Sequence, residues 1–431
     1  MELKRLGVLA VAAAMAVTAC NTGSSSSPSS SASASGGAGG GSGTAVTIGV
    51  DFPMSGGEAP NGVPAANGVK LAVKENPVPG FNVTVNVLDD AVNGVHNPQQ
   101  GAKNLNQFVN DPATVAVVGP YNSNVGAAEI PVSNAAGLLQ CSPANTSPTL
   151  TKPDFGGLDL RKTHPDQIAY VRVATTDDIQ GAAGADIAYN TVGARKAFVV
   201  DDTETYGKGL ADQFVKTFKE LGGTVIDGDS HGVGKAQQTD FTALLTQAKA
   251  ADPDYVFFGG VTTTGGGLLR KQMVNQGMGS IPFGGGDGIV DGSAATSGSF
   301  LNVAGPDAAM NTYGTVAATH DIPDPDKFAS AYKAEYNADP GSYSAASYAC
   351  TQLILDALKN VGTGVTDLAE MRSKIRAYIA NPATTFTTVL GSFHFDENGD
   401  TSQKIISDYK YDPDSQDWKF FQQKDFGQSG S

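Results

Sequence analysis

What most constrains the fold is an alternation that begins after residue 44. A short apolar run comes first, then a stretch with apolar residues at helical spacing. "VTIGV" (46–50) is followed by "NGVKLAVKEN" (67–76). "FNVTVNVLDD" (81–90) is followed by "PQQGAKNLNQFVN" (98–110), where Ala102, Leu105, Phe108 and Val109 share one helical face. "VAVVG" (115–119), a helix over 125–136 and "LLQCS" (138–142) continue the series. A second series starts with a helical pattern over 181–190, then "KAFVV" (196–200) and "KGLADQFVKTFKELGG" (208–223). Leu210, Phe214, Phe218 and Leu221 repeat there at helical spacing, and Gly222 ends the helix. "TVIDG" with "FTALLTQAKA", "DYVFFGG" (254–260) with "GLLRKQMVNQG" (267–277), and "IPFGGG" (281–286) repeat the unit. Alternating βα units predict parallel sheets with helices on both faces. Two such series in 431 residues predict two doubly wound α/β lobes.

In such sheets, small molecules bind beyond the carboxyl ends of the strands. At one such end the chain reads "AVVGPYNSN" (116–124), and Ala116, Val117 and Val118 give way to Tyr121, Asn122, Ser123 and Asn124. About twenty residues later "GLLQCSPANTSP" repeats the pattern. Two apolar strands that empty into small hydrogen-bonding side chains read as one polar clamp.

The first residues carry a different signal. Lys4 and Arg5 precede an apolar stretch over 6–17, and "VTAC" (17–20) follows. The stretch is too short to span a bilayer and has the layout of a signal peptide, with Cys20 as the acylated residue of a lipobox. Residues 21–44, "NTGSSSSPSSSASASGGAGGGSGT", cannot bury a core and predict a flexible tether. No later segment is long and apolar enough to cross a membrane. The expected location is therefore extracytoplasmic, anchored to the outer face of the cell membrane through the lipid alone. With Cys20 lipidated, Cys141 and Cys350 remain, as one disulfide or as two buried thiols. A net charge of −15, from 28 Lys+Arg against 43 Asp+Glu, disfavours a nucleic-acid partner.

Enzyme motifs are missing. "DFPMSGG" after the first strand lacks G-x-G-x-x-G, and "GVGKA" (232–236) lacks the upstream Gly and the Ser/Thr of a phosphate loop. The five histidines are scattered without HExxH, and there is no G-x-S-x-G elbow. "DENGD" (396–400) reads as a turn rather than a calcium loop, because its Gly is misplaced and Ser407 stands where a Glu would be needed. The expectation is a protein that is not an enzyme and carries no cofactor or metal.

The body, roughly residues 45–426, resembles the amino-acid binding proteins of bacterial branched-chain amino-acid ABC importers. The stretches that carry the resemblance include "VTIGVDFPMSG", "VVGPYNSNVGAAEIPVSNAAGLLQCSPANTSPTLT", "VVDDTETYGKGLADQF", "DFTALLTQAKAADPDYVFFGG" and "GSFHFDENGD". The resemblance implies a type I periplasmic-binding-protein fold, with lobe 1 over 45–174 and 318–404, lobe 2 over 175–317 and 405–426, and a three-strand hinge between them. It implies a ligand-carboxylate clamp at Ser123, Thr146 and the main chain near Ala144. The Glu that the family sets against the ligand ammonium is here Asp287, one methylene shorter. Tyr206 is implied as an aromatic cover, and Tyr121 and Phe52 as lining of the near wall. The sequence departs from the family at "GGEAPNG" (56–62), which lacks the usual aromatic, and at Val261, Thr262, Thr263 and Thr264, which replace aromatics after "GG". These departures point to a wider or more polar side-chain pocket.

The function implied is a monomeric, lipid-anchored receptor that closes on an amino acid or close analogue and docks on an ABC permease. Alternatives are a ligand-sensing module for a signalling partner, or binding of an amide or urea-like solute.

Overall fold

The computed structural model describes residues 43–233 and 238–427. The expected signal peptide (1–19), Cys20 and nearly all of the tether lie outside the described residues. Among the described residues no helix is long and apolar enough to cross a membrane.

The first sheet has five strands in the order Phe81–Asp89, Thr44–Phe52, Thr114–Val118, Gln140–Ser142 and Tyr170–Arg172, all parallel. The strand Thr44–Phe52 is buried on both faces, which is why its sequence is apolar almost throughout. Val46, Ile48 and Val50 pack with the helices Ala59–Glu75 and Ser344–Ala357, while Leu105, Phe108, Val117 and Leu138 form a separate cluster. Gly49 permits this sandwich: a Cβ there would lie 2.9 Å from the Phe108 ring, so only glycine lets the helix Pro98–Asn110 sit so close.

The second sheet runs His231–Gly232, Lys196–Asp201, Tyr255–Gly259, Phe283–Gly285, Thr312–Val316, Ile405–Asp412 and Asp417–Asp425, with Thr224–Val225 beside Lys196–Asp201. It is parallel through Thr312–Val316 and antiparallel for the last two strands. The βα pattern predicts only parallel pairing. The final ribbon departs from it because the four residues between Asp412 and Asp417 can join only antiparallel neighbours.

The chain passes between the two lobes three times. After Tyr170–Arg172 it enters the helix Asp177–Asp186, which packs on Thr205–Glu220 in the second lobe. After Thr312–Val316 it returns to the helix Pro325–Tyr336, which packs on Ala59–Glu75. Before Ile405–Asp412 it crosses again. Thr175 ties the three passages: its N–H donates to the Ala317 carbonyl at 2.9 Å, and its hydroxyl to the Ile405 carbonyl at 2.8 Å. This is a type I periplasmic-binding-protein fold, two doubly wound lobes on a three-strand hinge. Within the first lobe a Cys141–Cys350 disulfide, with Cα atoms 5.6 Å apart, joins the strand Gln140–Ser142 to the helix Ser344–Ala357.

Candidate functional site

The strand Thr114–Val118 stops at Gly119, where φ is 135° and a Cβ would stand 2.5 Å from the Asp51 carbonyl oxygen. Only glycine fits there. The chain then turns, Asn122 takes the N-cap position, and the helix Ser123–Ala136 begins. Free N–H groups and the positive end of the helix dipole therefore face the crevice between the lobes. Ser123 Oγ accepts from the Ser147 N–H at 3.3 Å, which leaves its own proton to be donated to an anion.

The two polar strand ends form one unit. Ser142 Oγ donates to the Pro120 carbonyl at 2.7 Å and accepts from the Asn145 N–H at 2.9 Å, and Asn145 Nδ2 donates to the Tyr121 carbonyl at 2.7 Å. Beneath them lies Arg172, fully buried. Its Nε donates to Asp400 at 2.7 Å and its Nη1 to the carbonyls of Ser147 at 2.6 Å and Asn145 at 3.3 Å. Burial alone would raise the Asp400 carboxyl, but Arg172 beside it holds it below the usual carboxylate range. Asp400 belongs to "DENGD", which is indeed a turn.

From the second lobe comes Asp287, at the start of a short turn after the strand Phe283–Gly285. Its Oδ1 accepts from Gln180 Nε2 at 2.8 Å and from the Tyr206 hydroxyl at 2.9 Å, and that hydroxyl accepts from the Gly288 N–H at 3.1 Å. Burial pushes the Asp287 carboxyl up, and these donors oppose the shift. Asp177, fully buried at the first turn of its helix, is also pushed up, by burial and by Asp287, with Thr146 pulling the other way.

Ser123, Ala144, Thr146, Tyr121, Tyr206 and Asp287 all line one crevice. Phe52 does not. It is the last residue of its strand and follows Val46, Ile48 and Val50 into the core, since alternate strand residues share a face. It meets the back of Tyr121 edge-on, with ring centroids 6.2 Å apart. Tyr206 lines the crevice, and its hydroxyl proton goes to Asp287, so the hydroxyl positions the acid.

A second group joins the lobes at the same crevice. His96 Nδ1 lies 2.6 Å from Glu58, and its Nε2 lies 2.7 Å from Glu204 of the second lobe. Thr263 donates across the gap to Glu58 at 2.6 Å, and Asn124 donates to Glu204 at 2.8 Å. Burial pushes the His96 imidazole down, but Glu58 and Glu204 outweigh it and hold the ring well above the ordinary histidine range. Burial and the Glu204 charge raise the neighbouring Asp202 to about 7. None of these residues was a sequence candidate. The available signal was indirect: Glu58 and Thr263 stand in the two segments that depart from the expected pattern, and they bond to each other.

A hinge of three strands, and a crevice walled by both lobes with a helix N-terminus on one side and a buried acid on the other, are the features of a protein that binds a small molecule between two lobes. The chain belongs to the periplasmic binding protein family, which it matches over residues 45–407. It is 31% identical over 380 residues to "Leu/Ile/Val-binding protein homolog 1" of Brucella abortus, an alignment spanning 85% of this chain and 90% of that protein. A leucine-binding protein of Thermotoga maritima superposes with a TM-score of 0.71 at 25% identity, covering 88% of this chain and 98% of that one. The branched-chain amino-acid transporter substrate-binding protein of Streptococcus pneumoniae, solved with isoleucine, gives a TM-score of 0.71 at 24% identity, covering 89% and 99%.

Proposed function

We propose that this protein is the extracytoplasmic solute receptor of an ABC importer, anchored through a lipid on Cys20, and that it binds an α-amino acid between its lobes. The ligand carboxylate sits at the helix N-terminus of Ser123, with the Thr146 hydroxyl and the main chain at Ala144. Its ammonium faces Asp287, which Gln180 and Tyr206 hold in place. Lobe 1 takes residues 45–174 and 318–404, and lobe 2 takes 175–317 and 405–426. Closure is favoured because contacts from both lobes exist together only in the shut form, and excluding water strengthens the attraction between Asp287 and the ammonium. The shut monomer then docks on its permease.

The observation that carries this reading is that Ser123 and Thr146 from one lobe, and Asp287 from the other, line the same crevice. Calorimetry and thermal shift of the purified protein against the common amino acids test it. Heat and stabilisation with one or a few of them are expected. No response to any would overturn it.

A further inference from the structure

The crevice is not uniform, and its departures from the family pattern meet at one end. Glu58 and Thr263, from the two divergent segments, bond across the lobes there. Asn122 joins them: its Nδ2 donates to Glu58 Oε2 at 3.1 Å. A carboxylate only accepts, so this bond sets the orientation of the amide, and the carbonyl oxygen points away from Glu58. Asn122 lines the crevice, is 8% exposed, and its Oδ1 is buried without a hydrogen-bond partner. A buried carbonyl left unpaired is costly, and native structures give such an atom a partner. The residue is adjacent to Ser123, so its acceptor stands one residue from the carboxylate clamp.

Other groups at this end share its character. Asn61, Asn124, His96 and Glu204 line the same crevice, and the Glu204 side chain is one-quarter exposed. An alkyl side chain placed here would leave the Asn122 carbonyl dry and unpaired. A site built to hydrogen-bond a ligand rejects an analogue that lacks the group, because its own polar atoms are then stranded.

We propose that this end of the crevice selects an α-amino acid whose side chain ends in N–H donors, a carboxamide or a cation, with Asn122 Oδ1 and the Glu204 carboxylate as acceptors. The inference rests on the amino-acid reading above and narrows it away from branched-chain ligands.

The test is calorimetry of the purified protein against the twenty common amino acids. Glutamine or lysine is expected to lead, at least tenfold tighter than leucine, and which of the two leads distinguishes an amide from a cation. Asn122→Leu, which removes the acceptor and keeps the bulk, is expected to weaken the leading ligand at least tenfold and to narrow its advantage over leucine. If that variant fails to fold, judged by circular dichroism, the ranking for the unaltered protein decides alone. Leucine, or any amino acid without a side-chain N–H, binding as tightly as the nitrogen-bearing ones overturns the inference and leaves the amino-acid reading standing. Absence of heat with all twenty means that the amino-acid reading itself has failed.

Discussion

Arg172 does not line the crevice, yet its loss should damage both the fold and the site. The guanidinium is fully buried, pairs with Asp400 at 2.7 Å, and holds the carbonyls of Asn145 and Ser147, which flank Thr146. Arg172→Met strands a buried carboxylate whose remaining donor is the Thr151 hydroxyl, at 2.8 Å to one oxygen and 3.0 Å to the other. Breaking a buried pair from one side costs about 3–5 kcal/mol. Asp400→Leu should cost a similar amount, because it strands the guanidinium instead. In the double variant neither charge is left alone. What remains lost is the two carbonyl contacts and the Thr151 hydroxyl's bonds to both partners, about 1 kcal/mol for each stranded group, so the double variant should cost about 3 kcal/mol, far below the sum of the two singles. Urea denaturation of the four proteins, followed by circular dichroism, measures this. Ligand affinity should fall with Arg172→Met even though the residue touches no ligand, because Thr146 loses its fixed frame. A double variant as damaging as the sum of the two singles would refute the reasoning, since the cost would then not be that of a stranded charge.

Four further outcomes can be measured. Asp287→Ala and Ser123→Ala should each weaken the amino-acid ligand by about 1.5–3 kcal/mol, the range for hydrogen bonds to charged groups, read as Kd by calorimetry. His96 and Glu204 come from different lobes, so opening the crevice should separate them. Against burial, Glu58 and Glu204 hold His96 well above the ordinary histidine range here, with Asp90 and Asp202 also facing it, and losing Glu204 on opening should lower it. The closure it supports is complete below the open-form value and is lost as pH rises through the shut-form value, so affinity should decline at alkaline pH, and His96→Ala should flatten that slope. Replacing Cys141 and Cys350 by Ser opens a bridge between residues 209 apart in sequence and should cost about 2–5 kcal/mol in denaturant unfolding. Cys20→Ala should release the protein from the membrane fraction, as fractionation of expressing cells would show.

The sequence by itself determined the layered α/β architecture, because a strand buried on both faces must be apolar throughout and a surface helix must repeat its apolar residues at helical spacing. It also made the two polar strand ends legible, since apolar runs that end in Ser, Thr and Asn are conspicuous. It could not reveal Arg172 with Asp400, which are 228 residues apart, or the link from Glu58 through His96 to Glu204, because a charge partner across a cleft leaves no local period. It likewise left Cys141 and Cys350 undecided between bridge and buried thiols. Phe52 was misplaced because closeness to a strand end does not say which way a side chain points. The antiparallel ribbon at the end of the second sheet was missed because pairing direction depends on how short the connecting turn is. Local pattern governs which segments form strands and helices, but the polar contacts that shape this crevice join residues that only the tertiary structure brings within 3 Å or so of one another.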